Sequence, residues 1–233
     1  MKILMTIPMI FLTAACAVEV KDKNETTTPV QIFGAADNLV WNEARVLEKH
    51  ETIKAHRLTI KKNALITTGE HSLIIQVDEL IAEGGTIQNF APNAQAKFEA
   101  KGLSGGAVQI EAKNATGTLN VFLRGENGGR GKHGVLTIPG RHPGCAGTNG
   151  GNGGNAGNLE LTIESNSGFT LNWDNSGGAL GPRGLRGFVR DGTLADTVFP
   201  PCDRDMIDGI DGKAGNRGLV CLKMSSHEER VCE

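Results

Sequence analysis

Glycine returns at every third position in three separate stretches of this 233-residue chain. It occupies 125, 128, 131 and 134 in GENGGRGKHG, then 178, 181, 184 and 187 in GALGPRGLRG, then 209, 212, 215 and 218 in GIDGKAGNRG. A backbone with that spacing suits polyproline-II geometry, with three residues per turn and a rise of about 3.1 Å per residue. Its glycines then line one edge, a stripe without Cβ atoms along which another backbone can approach closely. A fourth stretch, GCAGTNGGNGGNAG at 144–157, changes phase: glycines at 144, 147, 150 and 153 give way to 151, 154 and 157. A segment packed on more than one side needs glycine on more than one edge, and this stretch supplies two.

The triplet is that of collagen, which requires many repeats and ample proline. Here only Pro182 lies inside a run, and apolar stretches that read as strands interrupt every run. A three-chain helix of about ten residues nucleates poorly, so a monomer is favoured over a collagen-like trimer. The runs are expected to pack side by side within one chain, glycine stripes inward. This resembles the polyglycine-II bundles in the glycine-rich N-terminal domain of a ribosome-associated GTPase family, in the tips of some phage tail adhesins and in an insect antifreeze protein. Flexible loops are the alternative, and the ordering entropy of glycine favours them. Loops need no register, however, and these runs keep one.

Between the runs the pattern is β. LTIKKNALITTG (58–69) lies over LIIQVDELIAEG (73–84) at an offset of fifteen, with Leu58 matching Leu73 and Ile60 matching Ile75. Alternating apolar residues around a turn residue, repeated, predict stacked strand–turn–strand coils of a β-solenoid, or two successive hairpins of a sheet. A second repeat relates VQIEAKNATGTLNV (108–121) to LTIESNSGFTLNW (161–173), and each copy leads into a glycine run. The predicted architecture is all-β: a short β-solenoid or sheet base carrying an intramolecular bundle of glycine-rich polyproline-II helices. Residues 38–100 read as the β-repeat region and 101–233 as strands alternating with glycine runs.

The N-terminus reads as an export signal. Lys2 precedes the apolar stretch Ile3 to Leu12, which is too short to span a bilayer. LTAAC then resembles the lipobox of bacterial lipoproteins, with Thr13 where that family usually has leucine. The resemblance implies a signal peptide over 1–15, diacylation of Cys16 and, since Ala17 rather than aspartate follows, the outer membrane. Ordinary cleavage at Ala15-Cys16-Ala17 is the alternative. Residues 16–37 are polar, with a threonine run and a proline, and read as a tether.

Export accounts for the cysteines. Cys145, Cys202, Cys221 and Cys232 are an even set suited to two disulfides in an oxidising compartment. Three pairings are possible; Cys145–Cys202 with Cys221–Cys232 is the one expected here. A zinc site using His142 and Cys145 is the competing use, but the chain has no CxxC pair.

A net charge of −2 gives no bulk attraction to nucleic acid. Aromatic residues are 4 % of the chain and tyrosine is absent, which disfavours a stacking cleft for sugars. No nucleophile elbow, zincin motif or phosphate loop is present, and the six histidines are scattered. The expectation is a non-catalytic protein without a cofactor. Two clusters remain. Arg183 and Arg186 share one triplet position, with Arg190 beyond them and Arg130, Lys132, His133, Arg141 and His142 on or near another run. A basic edge on a rigid bundle suits sulfated or phosphorylated glycans. Asp203, Asp205, Asp208 and Asp211 crowd CDRDMIDGIDG, an oxygen-rich set open to calcium, but Ile207 breaks the EF-hand spacing.

Residues 58–224 as a whole resemble the diffuse class of bacterial glycine-rich, collagen-like surface lipoproteins. That resemblance implies a structural or adhesive role at the cell surface, with a membrane contact through lipid and a glycan or protein partner.

Overall fold

The computed structural model describes residues 31–32, 38–134, 146–186, 208–225 and 229–233. Ten strands form one sheet, and the described residues contain no helix. The strands are β1 (Gln31–Ile32), β2 (Asn38–Trp41), β3 (Ala44–Val46), β4 (Glu51–Ile60), β5 (Leu65–Thr67), β6 (Leu73–Gln88), β7 (Val108–Phe122), β8 (Leu159–Asp174), β9 (Val220–Lys223) and β10 (Val231–Cys232). All pairings are parallel except β9 with β10. Gln31 and Ile32, within the segment read as tether, pair with Ile53 and Lys54.

Long strands alternate inward and outward residues, then break the alternation near their middle. In β6, Leu73, Ile75 and Val77 are buried, Asp78 and Glu79 are both turned outward, and Leu80 and Ala82 are buried again. The same break falls at His56-Arg57 in β4 and Lys113-Asn114 in β7, and β8 widens it to the five exposed residues 164–168. A strand keeps its core face through two successive outward residues only by bending there, because the side-chain period is two. Both legs then face one interior. Ile53, Ile75, Ile110 and Leu161 stand in one register column of that interior, all at 1 % exposure or less.

The stacking register differs from the fifteen-residue repeat. Leu58 pairs with Leu80, and Glu51 rather than Leu58 pairs with Leu73. Both offsets match apolar residues with apolar residues; the corner decides between them. An offset of fifteen sets His56-Arg57 over His71-Ser72, whereas the observed offset of 22 sets them over Asp78-Glu79. His56 Nδ1 lies 2.9 Å from Asp78 Oδ2, Arg57 pairs with Glu79, and Lys61 pairs with Glu83 at 2.6 Å. The next coil continues the ladder, with Lys113 Nζ 2.6 Å from Asp78 Oδ1. Hydrogen bonding from Lys113, then from His56, holds the Asp78 carboxyl below its ordinary range, and the same Asp78 bond raises Lys113.

The sequence separation between paired strands grows along the sheet. Partners are 22 residues apart between β4 and β6, 35 between β6 and β7, 51 to 52 for the next coil and 61 for the last. The added length is the glycine-rich chain. β6 runs through Gly84-Gly85 with a register shift between Glu83 and Thr86. Gly117 has φ of 84°, and a Cβ there would overlap the Ala82 carbonyl of the coil before. In the second repeat, Asn120 pairs with Asn172 as the sequence match places it, while Ile110 pairs with Leu161, two residues before Ile163.

Five glycine-rich segments run beside the sheet: 101–106, 123–134, 146–158, 175–186 and 208–219. They bond to one another through the backbone at every third residue. Gly125, Gly128, Gly131 and Gly134 donate to the carbonyls of Ser176, Ala179, Pro182 and Leu185 at 2.8 to 3.1 Å. The third segment donates in two directions. Gly150 and Gly153 reach Ile210 and Lys213, and Gly151, Gly154 and Gly157 reach Gly129, Glu126 and Leu123. The phase slip in the sequence is this change of direction. Gly178, Gly181 and Gly184 donate back to Gly154, Gly151 and Thr148, and Gly209, Gly212 and Gly215 donate to Gly184, Gly181 and Gly178.

Cys221 and Cys232 stand in register between β9 and β10 and form a disulfide. Cys16, Cys145 and Cys202 lie outside the described residues, as does VLTIP (135–139), expected as a strand.

Candidate functional site

Every candidate ligand-binding residue within the described residues sits on a glycine-rich segment, so the segment backbone decides where each side chain goes. Gly181 and Gly184 turn inward to Gly151 and Thr148. Arg183 and Arg186, between and beyond them, are exposed on the opposite side. By polyproline-II rise they are about 9 Å apart. No carboxylate among the described residues is ion-paired with either guanidinium.

The acidic cluster has a backbone role. Asp211 Oδ1 accepts the N–H of Arg183 at 2.7 Å, and Asp208 Oδ1 accepts that of Arg186 at 2.8 Å. In the preceding coil the amides of Gly131 and Gly134 donate to main-chain carbonyls of the next segment. For Arg183 and Arg186 the following segment, 208–219, offers these two carboxylates where main-chain carbonyls serve Gly131 and Gly134. The described residues contain no group of three or more metal-ligating side chains. Asp203 and Asp205 lie outside the described residues, as do Arg190, Arg141 and His142.

The second basic group is only partly free. Lys132 Nζ pairs with Glu99 at 2.8 Å, and that bond, with one from Thr148, holds the Glu99 carboxyl below its ordinary range. His133 Nδ1 accepts the N–H of Leu185 at 2.9 Å, and its Nε2 faces the Arg130 guanidinium.

One further array lies concealed in the sequence. Asn149, Asn152, Asn155 and Asn158 accept, through Oδ1, the N–H groups of Ile210, Lys213, Asn216 and Leu219 at 2.8 to 3.0 Å. All four are exposed. Asn127 does the same for Ala179 at 2.7 Å. The signal is present in TNGGNGGNAGN as a second period of three, hidden beside the glycines. These side chains tie one coil to the next, so the exposed face of the segments is fixed in register. Such a surface can present side chains at regular intervals.

The chain matches no family model, no curated protein and no solved structure. What the fold defines is an all-β protein with a mostly parallel sheet and no helix among its described residues.

Proposed function

We propose that this is an exported, lipid-anchored envelope protein with a structural or adhesive, non-catalytic role. Its glycine runs form an intramolecular polyglycine-II bundle on a β-solenoid base. One observation carries the reading: the third-residue hydrogen bonds that join all five glycine-rich segments into one backbone network. A network of this kind is rigid, offers proteases little free backbone, and turns its remaining side chains outward. The lipobox-like LTAAC supplies the anchor at Cys16 and the outer membrane the address. Metabolic labelling with a palmitate analogue tests it. Label on the wild type and none on Cys16→Ser supports the anchor; an unlabelled, freely released wild type contradicts it.

A second reading has its own observation. No carboxylate among the described residues is ion-paired with the Arg183 or Arg186 guanidinium, and Arg130 lies with His133 on the segment bonded to theirs. This favours binding of an anionic glycan along that edge. Retention on a sulfated glycan column that is lost in Arg183→Ala/Arg186→Ala, with melting unchanged, supports it. A wild type that passes through unretained ends it.

A further inference from the structure

The stack ends unevenly. β9 covers only the first leg of β8, pairing Leu159–Thr162 with Val220–Lys223. The second leg, Phe169–Asp174, pairs with β7 on one side and with no strand among the described residues on the other. Exposure records the open side. Leu119 and Val121 of β7 are fully buried; on β8, Phe169 and Leu171 are nearly so, and Trp173, which stands over Val121, is 39 % exposed.

An open edge is a template for another strand, and proteins blunt such edges with short strands, charges or proline. The opposite end of this sheet is blunted: β2 and β3 have four and three residues, with Glu43, Arg45, Glu48 and Lys49 in or beside them. FTLNW at 169–173 carries no charge and no proline.

We infer that a second copy of the chain completes this edge, β8 pairing antiparallel with β8 across a two-fold axis at Leu171. A two-fold interface must be self-complementary, and this edge is. With the axis on Leu171, Phe169 faces the partner's Trp173, Thr170 faces the partner's Asn172, and Leu171 faces the partner's Leu171. Apolar residues meet on the core side and polar residues on the outer side, and no like charges oppose. Aromatic pairs and side-chain hydrogen bonds of this kind stabilise antiparallel neighbours. Other registers are worse. An axis between residues sets inward against outward side chains, an axis on Thr170 leaves Trp173 facing Ser167, and one on Asn172 sets Thr170 against Asp174. Asn172 is already oriented: its Nδ2 donates to Asn120 Oδ1 at 3.0 Å, leaving its own Oδ1 to accept the partner's Thr170 hydroxyl.

Sedimentation equilibrium on the full chain tests the proposal. A single strand pair buries less than the ~800 Å² per partner of a standard interface, so a weak, concentration-dependent dimer is expected. T170K/N172K changes two exposed side chains and sets ammonium against ammonium, and should weaken the dimer at least tenfold while melting falls by no more than the loss of the exposed Asn172–Asn120 hydrogen bond allows. T170E/N172K sets a carboxylate against the partner's ammonium and should restore it. Emission of Trp173 in the wild type, shifting blue with concentration, reports burial at the edge without any variant. A wild type that stays monomeric with unshifted emission at the highest attainable concentration overturns the proposal. So does a folded T170K/N172K variant that dimerises like the wild type. Wild-type monomers that instead capture an extended peptide along β8 also overturn it, since the occupant would then be another protein.

Discussion

The amide nitrogen of Gly151 stands 2.7 Å from the carbonyl oxygen of Gly129, a bond between two segments that lie in different coils. A Cβ on Gly151 would overlap the Ala100 carbonyl and crowd the Gly129 amide. Gly151→Ala is therefore expected to lower stability by about 3 kcal/mol or more, at or above the upper end of ordinary overpacking, because backbone and not side chain must move. Gly168 is the comparison. It has φ of 81°, and a Cβ there would meet nothing within 4 Å, so Gly168→Ala should cost only about 1–2 kcal/mol of left-handed strain. Denaturant melts of both variants check the difference; equal losses would contradict close backbone packing at Gly151.

The asparagine array predicts small, separable losses. Asn152→Ala removes the acceptor of the Lys213 amide and should lower stability by about 1 kcal/mol or less, as for a single exposed hydrogen bond. Asn152→Asp keeps the acceptor and should be close to neutral. Chemical denaturation of the two variants side by side decides it.

Acid should weaken the corner ladder. The Asp78 carboxyl is held below its ordinary range by Lys113 and His56. A depressed folded pKa adds stability that is present above the unfolded value, about 3.9, and is lost as pH falls through the folded one. Burial works against ionisation of Asp174, but the Ser176 amide and hydroxyl and Arg124 outweigh it, so its carboxyl also titrates low. Melting temperature should decline below about pH 4. Asp78→Asn should lose part of that decline: wild type and variant differ at neutral pH and converge in acid. A constant difference at every pH would contradict the ladder.

The Cys221–Cys232 bridge closes a loop with a sequence separation of 11. Loop-closure entropy of that length corresponds to about 3 kcal/mol at most. Cys232→Ser should therefore free β10 and raise amide exchange at 229–233, while β4 to β7, whose packing does not depend on the bridge, stay protected. Hydrogen exchange read by mass spectrometry distinguishes this from global loosening.

Much of this fold is legible in the sequence, and the illegible parts have physical causes. The glycine phase at 125–134 and 178–187 is visible because each close backbone approach excludes a Cβ, and the approaches recur every three residues. The slip at 150–154 is visible for the same reason, applied to two sides. The stacking register is not, because apolar alternation fits offsets of fifteen and of 22 equally well; only the charges at His56, Arg57, Asp78 and Glu79 separate them, and those need the corner to be known first. Asp208 and Asp211 read as a cation site because sequence shows carboxylates and not the orphan amides of Arg183 and Arg186 that they accept. The asparagines at 149, 152, 155 and 158 are overshadowed by the glycines between them. Cys221 and Cys232 face each other through the β9–β10 register, which spacing alone leaves as one of three pairings.

The structural role proposed for this protein depends on the glycine-rich segments bonding to one another within a single chain. Amide hydrogen exchange on the dilute, monomeric protein measures that bonding directly. The amides of Gly151, Gly154, Gly178 and Gly181 are expected to exchange as slowly as those of β7. Exchange of these glycines at the rate of an unstructured peptide, with β7 still protected, would contradict it.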